Sequence, residues 1–428
     1  MDPLKVIIVT SCPFVKNGFG VQGHILARGL GLAGHDISIV AMNRVQEAMS
    51  VVWELPDDIT VQAEGRQDLT KFGGKKLYKI YPHGIHGNSG NQADIEASTK
   101  GAKMLELMLQ QYRPDAFITL QDTQTVMWMA NAATSLGIPW FQWIPWDNVK
   151  WEADMSKLIM EGQMQAVFMS DFAESLAREN RVPYRGKIYH GVNTRIFKPD
   201  GRPKAEIRKD VGQDMFANNF VVSYIGQNEE RKHLDILIKC FATFSKGKDD
   251  VRLFMHTDIQ EPYPAHWSYN LVPLIQIEDI DEKFKCTSRF NWTAKYSDRG
   301  MNLLYNSADI LASTTSGEGF GLGTLFGNAC GVPTAITDSC TSPQLTGNGE
   351  WGWLSKATAE YIAPGGYTRK MTNQEEMKKC LDEAYNNRDL LKKKGERARQ
   401  DVMEKYDADK IGVQWADLLE KFFQRRVN

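Results

Sequence analysis

The sequence predicts an α/β protein built from two Rossmann-like domains, and three observations carry that prediction. At 428 residues the chain is too long for one ordinary hydrophobic core and about right for two. Short β-branched apolar runs alternate with amphipathic stretches, the pattern of parallel strands joined by helical crossovers. Each half also opens on a strand that leads into a glycine-bearing loop: Lys5-Val-Ile-Ile-Val-Thr10 before a loop with Asn17-Gly-Phe-Gly20, and Phe220-Val-Val-Ser-Tyr-Ile225 before Gly226.

In the first half, Ile25, Leu26, Leu30 and Leu32 give a helical apolar face that ends at Gly34-His35, and Ile37 to Ala41 reads as the next strand. Ala116 to Leu120 and Trp140 to Ile144 are strands around a helix predicted over Val126 to Leu136, with Gly137-Ile-Pro139 as punctuation. Ala166 to Ser170 is a further strand, and Ile188-Tyr-His-Gly191 closes the half. Turn residues at Phe197-Lys-Pro199-Asp-Gly201 place the hinge, giving domains 1–198 and 199–405. The second half continues with a helix from His233 through Phe241, then strands at Arg252 to Met255, Ala308 to Ala312 and Pro333 to Thr337. Met377 to Arg426 is charged and amphipathic, and residues 406–428 read as a terminal helix packing back on the N-terminal domain.

Composition narrows the function classes. Lys plus Arg number 51 against 53 for Asp plus Glu, so the formal charge of −2 gives no general attraction to nucleic acid or membrane. The six cysteines lack metal spacing and read as reduced thiols of a cytoplasmic protein. The apolar run Val6 to Val9 is too short for a signal segment or an integral membrane span.

Chemistry concentrates in Ser316-Gly-Glu318-Gly-Phe-Gly321-Leu-Gly-Thr-Leu-Phe326-Gly-Asn-Ala-Cys330-Gly-Val-Pro333. This reads as a strand end, a glycine turn and a helix opening near Gly321, whose free N–H groups and dipole suit a phosphate. A carboxylate such as Glu318 does not bind phosphate, so it suits the hydroxyls of an attached sugar; the plain alternative is a capped helix. Arg231 and Lys232 follow Gly226 and stand at a helix start, where cations oppose the dipole unless an anion is bound. The alternative there is two solvated charges partnered by Glu229 and Glu230. Gly18, Phe19 and Gly20 lie where α/β sheets bind ligands.

Together these segments resemble the retaining glycosyltransferases of family 4, with the GT-B architecture of two domains facing across a cleft. The resemblance also takes in Gly34-His35, His190-Gly-Val-Asn193 with Phe197-Lys-Pro199, Tyr305-Asn-Ser-Ala308-Asp309 and Ala329-Cys-Gly-Val-Pro333, and so nearly the whole chain. It implies a nucleotide diphosphate sugar as donor substrate, held mostly by the C-terminal domain, and a hydroxyl acceptor held mostly by the N-terminal one. It implies no metal and no other cofactor, because Arg231 and Lys232 neutralise the departing diphosphate. Glu318 corresponds to the first carboxylate of a Glu-x7-Glu motif, and the amides of Gly319, Phe320, Gly321 and Leu322 meet the phosphates. Retention by front-face attack follows, with the leaving phosphate taking the acceptor proton.

Two positions depart from the family pattern. The second glutamate is Phe326, open to base or ribose stacking or to simple core packing, and Gln227 stands where many relatives carry Arg. On the acceptor side, Asp122 and Asp147 are candidates for acceptor contact or proton handling, against an Asx-turn alternative. Trp146, among Trp140, Trp143 and Trp151, offers a stacking wall, and His190 a further acceptor contact. Lys75 and Lys76, in a basic run with Arg66, Lys71 and Lys79, suggest an anionic acceptor or a solvated loop. The acceptor therefore ranges over small molecule, glycan and modified DNA base, and a catalytically degraded sugar-nucleotide-binding module is the alternative from outside the enzyme class.

Overall fold

The structure, a computed structural model, describes residues 2–13, 17–42, 59–64, 67–72, 75–81, 105–126, 129–151, 153–260, 268–287, 296–363 and 366–427. The chain forms two compact units, one from residues 1–146, 151–191 and 408–428, the other from 147–150 and 192–407. The division near Gly191 and Val192 falls a few residues before the Phe197 to Gly201 turn, and the last helix counts with the first unit.

The first unit is organised on one sheet of β1 (Lys5–Thr10), β2 (Asp36–Ala41), β3 (Ile59–Glu64), β4 (Gln67–Phe72), β5 (Lys75–Tyr81), β6 (Ala116–Thr119), β7 (Trp140–Ile144), β8 (Gln165–Phe168) and β9 (Gly186–Lys187). Their spatial order is β3-β4-β5-β2-β1-β6-β7-β8-β9, parallel from β5 to β9. Val6 to Val9 are buried, as a strand covered on both faces requires. One edge departs from the all-parallel expectation: β4 pairs antiparallel with both β3 and β5. The basic segment is therefore strand, not loop, at Lys75 and Lys76, although Arg66 and Gly73-Gly74 lie outside the described residues, as do the side chains of β3 to β5.

Helix α1 (Gly18–Leu32) follows β1, and Asn17 caps it by accepting from Gly20 N at 2.7 Å. Gly18, Phe19 and Gly20 are thus its first turn and not a loop before it. The terminal helix Ala408–Val427 packs on α1 where Gly29 meets Gly412. A Cβ on Gly29 would lie 2.2 Å from the Gly412 Cα, so the two backbones touch because neither residue has a side chain. Trp415 of that helix is buried edge-on against Trp143, with centroids 5.4 Å apart.

The second unit has a parallel sheet ordered β12-β11-β10-β13-β14-β15: β10 (Phe220–Ile225), β11 (Val251–His256), β12 (Phe284–Cys286), β13 (Ile310–Ser313), β14 (Thr334–Thr337) and β15 (Trp353–Ser355). A separate antiparallel hairpin, β16 (Ala357–Ile362) and β17 (Thr368–Thr372), follows. Helix α2 (Leu234–Ser245) buries Leu234, Leu237, Ile238 and Phe241, as its apolar spacing predicts. The charged stretch before Asn219 is ordered by Arg208, which is buried. It donates to the carbonyls of Ser307, Phe216 and Asn219 and pairs with Asp309 at 2.7 Å. That pairing closes the donor groups of a guanidinium that burial would otherwise leave unmet.

Candidate functional site

The site lies beyond the carboxyl ends of β10 and β13, neighbours in the second sheet. After β10 the chain must turn tightly at Gly226, where a Cβ would lie 2.7 Å from the Tyr224 hydroxyl. Glu230 to Lys232 form a single 3-10 turn, and His233, at φ 47°, redirects the backbone into α2. Arg231 and Lys232 thus precede α2 and do not sit in its first turn, so the dipole argument gives way to contacts made from the loop after β13. Thr314 Oγ1 donates to the Lys232 and His233 carbonyls at 3.0 and 2.8 Å. Ser316 donates to the Arg231 carbonyl through N at 2.8 Å and Oγ at 3.0 Å. These bonds fasten the cation-bearing turn to the glutamate-bearing loop.

The side chains then meet. Arg231 Nη1 donates to Glu318 Oε2 at 3.1 Å and to the Gly317 carbonyl at 3.2 Å, while Nη2 lies 3.1 Å from Glu229 Oε2. Lys232 Nζ donates to Glu318 Oε1. Burial alone would raise the Glu318 carboxyl, but Lys232 and Arg231 more than offset it and bring the pKa down to about 2. Burial opposes the charge on Arg231 too, yet Glu229 and Glu318 hold its guanidinium above its ordinary value. Burial, with Arg231 alongside, lowers the Lys232 ammonium.

Next to this cluster Gly321 takes φ 97° and starts α3 (Leu322–Ala329). Only glycine adopts that conformation without strain. Thr341 Oγ1 holds the turn by donating to the Phe320 carbonyl at 2.8 Å. The first N–H groups of α3 have no acceptor within the helix, so Gly319 to Leu322 offer an anion-binding tip beside two cations.

Other candidates fall elsewhere. Asp147 joins the second unit and pairs with Arg369 on β17, Oδ2 to Nη1 at 3.0 Å. Asp122 is exposed before the short helix Thr123–Val126. Trp146 is buried and stacks on Trp151, with centroids 4.5 Å and planes 16° apart, so it packs its own unit instead of forming an open wall. His190 is buried edge-on against Trp143 at 4.8 Å, and burial lowers its pKa to about 3. Phe326 faces Phe197, which answers the packing alternative for that position.

The sequence reading missed Arg369 and Tyr361. Both sit on the β16–β17 hairpin, whose signal in the sequence is Pro364-Gly-Gly366 between two short, weakly alternating runs. Among the described residues no group of three His, Cys, Asp or Glu converges as a metal site, and no helix is long and apolar enough to cross a membrane.

Residues 206–401 match the family glycosyl transferases group 1. A probable sucrose-phosphate synthase of Thermosipho melanesiensis is 23% identical over 248 residues, 55% of this chain and 49% of that protein, so the chain spans about half the length of that relative. Among solved structures, sucrose-phosphate synthase from Thermosynechococcus elongatus aligns at TM-score 0.73 and 13% identity, covering 98% of this chain and 99% of that one. A glycosyltransferase from Rickettsia africae aligns at 0.68 and 17% over 98% and 99%. Anabaena HepE in complex with UDP and glucose aligns at 0.67 and 13% over 98% and 100%. The match to glycosyl transferases group 1 thus takes in Arg231, Lys232 and Glu318, within a chain that has the GT-B fold.

Proposed function

We propose that the chain is a retaining glycosyltransferase that moves a hexosyl or pentosyl group from a nucleotide diphosphate sugar to a hydroxyl acceptor. The observation that carries this reading is the convergence of Arg231, Lys232 and Glu318 beside the tip of α3. The two cations and the helix amides receive the diphosphate, and Glu318 accepts hydrogen bonds from hydroxyls of the transferred sugar. With both carboxylate oxygens already held by Arg231 and Lys232, the glutamate is fixed in place and stays ionised. It is an acceptor, not an acid.

The bond between the anomeric carbon and the phosphate oxygen breaks, and its electron pair leaves with the nucleoside diphosphate. Arg231 and Lys232 stabilise that developing charge, which is the term worth most in such a step. The acceptor oxygen bonds to the same face of the anomeric carbon, and its proton passes to the departing phosphate. In this reading the first unit holds the acceptor, and the reaction needs no metal because the cations supply the charge. UDP is the first nucleotide to test, since Anabaena HepE is described with UDP-glucose. Six free cysteines fit work in the reducing cytoplasm.

The test is a donor panel of UDP-, GDP-, ADP- and dTDP-sugars, with release of nucleoside diphosphate measured with and without hydroxyl acceptors. At least one donor is expected to be turned over, giving a product whose anomeric configuration matches the donor by NMR. A chain that binds a sugar nucleotide yet never releases nucleoside diphosphate is a binding module, and an inverted product removes the retaining mechanism.

A further inference from the structure

The β16–β17 hairpin lies outside the parallel sheet, yet it bonds to the segment that leads into Glu318. Tyr361 and Arg369 stand directly opposite in its register, so their side chains leave the same face. The Tyr361 hydroxyl meets His233 Nε2 at 2.7 Å. Arg369 Nη1 meets both the Asp147 carbonyl at 2.5 Å and its Oδ2 at 3.0 Å, with the Arg369 side chain only 7% exposed. Further along β17, Lys370 N donates to the Ser316 carbonyl at 3.3 Å, and Thr372 Oγ1 donates to the Thr314 carbonyl at 3.0 Å.

Arg369 and Asp147 meet at Gly317. A Cβ on Gly317 would lie 2.6 Å from the Asp147 carbonyl and 2.7 Å from Arg369 Nη1, so Arg369 and Asp147 press on the Gly317 Cα where a side chain has no room. The Gly317 carbonyl takes Arg231 Nη1 at 3.2 Å and Thr315 Oγ1 at 3.0 Å. Gly317 is thus held between two guanidinium groups, and the next residue is Glu318. Apolar side chains could pack the hairpin at least as well as a buried ion pair. What the pair supplies instead is one fixed orientation. The Arg369 Nε, buried with no hydrogen-bond partner among the described residues, marks a guanidinium placed for its Nη1 contacts at a cost to its own satisfaction.

We propose that the hairpin is a clamp on the Glu318 loop, with Arg369 the positioning residue and Asp147 its counter-charge, setting the angle at which Glu318 meets the transferred sugar. This assignment rests on the transferase reading and gives Asp147 a role in place of acceptor-side proton handling. The clamp touches neither phosphate nor sugar, so it acts on the chemical step and leaves nucleotide affinity alone.

The experiment compares wild type with Arg369→Gln, Arg369→Lys, Asp147→Asn, the double variant Arg369→Gln/Asp147→Asn, and Gly317→Ala. The substrate is whichever sugar nucleotide of the panel is turned over fastest, starting with UDP-glucose. Arg369→Gln is expected to lower kcat at least ~10-fold with the donor KM and the affinity for the free nucleoside diphosphate within about threefold. Arg369→Lys recovers part of the loss, and the double variant is no slower than the worse single one, because the two residues act as a unit. Should Arg369→Gln melt below the assay temperature, Gly317→Ala gives the same readout, because its methyl group pushes Arg369 and Asp147 off the Gly317 Cα while leaving both residues in the chain. Folded Arg369→Gln or Gly317→Ala proteins with wild-type kcat overturn the clamp alone. A wild-type chain that turns over no donor overturns the transferase reading, and the clamp with it.

Discussion

Phe326 stacks on Phe197 with ring centroids 4.6 Å apart and planes 30° from parallel, and Tyr305 closes the group at 5.9 Å from Phe326. The position at which the resemblance places a second glutamate is therefore part of an aromatic cluster. Its ring offers no acceptor to ribose hydroxyls.

Phe326→Glu is accordingly expected to weaken folding by about 2 kcal/mol, since it removes ring contacts and brings a carboxylate against two aromatic faces. Chemical denaturation at pH 7 measures this. The same geometry predicts that a 2'-deoxyribose analogue of the preferred donor is turned over within about threefold of the ribose form. A loss of a hundredfold with the deoxy donor would show that some other residue reads that hydroxyl.

Glu318 gives a pH dependence with a definite sign. Its folded pKa of about 2 lies below the ordinary glutamate value of 4.5, so the native state binds fewer protons than the unfolded chain between those values. The stabilisation is present in full above pH 4.5 and is lost as pH falls toward 2, on the order of 3 kcal/mol in all. Glu318→Gln should flatten that part of the stability curve, while lowering turnover at pH 7 by about a hundredfold or more with nucleoside diphosphate still bound.

His190 works in the opposite region of pH. Burial lowers its pKa from 6.5 to about 3, so the unfolded chain takes up the proton first as pH falls, and stability declines below 6.5. At pH 5 the loss is about 2 kcal/mol relative to pH 7 or above. Urea titrations of wild type and His190→Gln at the two pH values isolate the term: the difference between pH 7 and pH 5 should shrink by that amount in the variant.

The contact of α1 with the terminal helix predicts that Gly29→Ala costs about 1–3 kcal/mol, because a methyl group at 2.2 Å from the Gly412 Cα forces the helices apart. Gly34→Ala is a useful contrast. Among the described residues its Cβ would meet nothing within 4 Å, so the loss expected there comes from its φ of 96°. Thermal melts of both variants separate steric from backbone strain.

Local pattern made the strands legible. β1 (Lys5–Thr10), β7 (Trp140–Ile144) and β10 (Phe220–Ile225) fall where the apolar runs place them, because a strand covered on both faces needs a continuous apolar run. The glycine turn before α3 was equally legible, since φ 97° at Gly321 is a demand on residue type that the sequence must meet. The edge strands β3 to β5 and the hairpin were not, as their residues alternate weakly and the pairing is settled by neighbours distant in the chain. The helix predicted over Val126 to Leu136 resolves into Thr123–Val126 and Met129–Ser135.

The sequence alone determined the two-domain α/β plan and named Arg231, Lys232 and Glu318, because strand period, turn chemistry and charge type are properties of short segments. Tertiary structure decided which of these groups touch. It drew the three onto one another through hydroxyls of the loop after β13, took Asp147 to Arg369, and buried Trp146 and His190. The physical reason is that a charge or an aromatic ring in a sequence has no environment until packing supplies one, and burial with a partner or without one is what separates a binding group from a core residue.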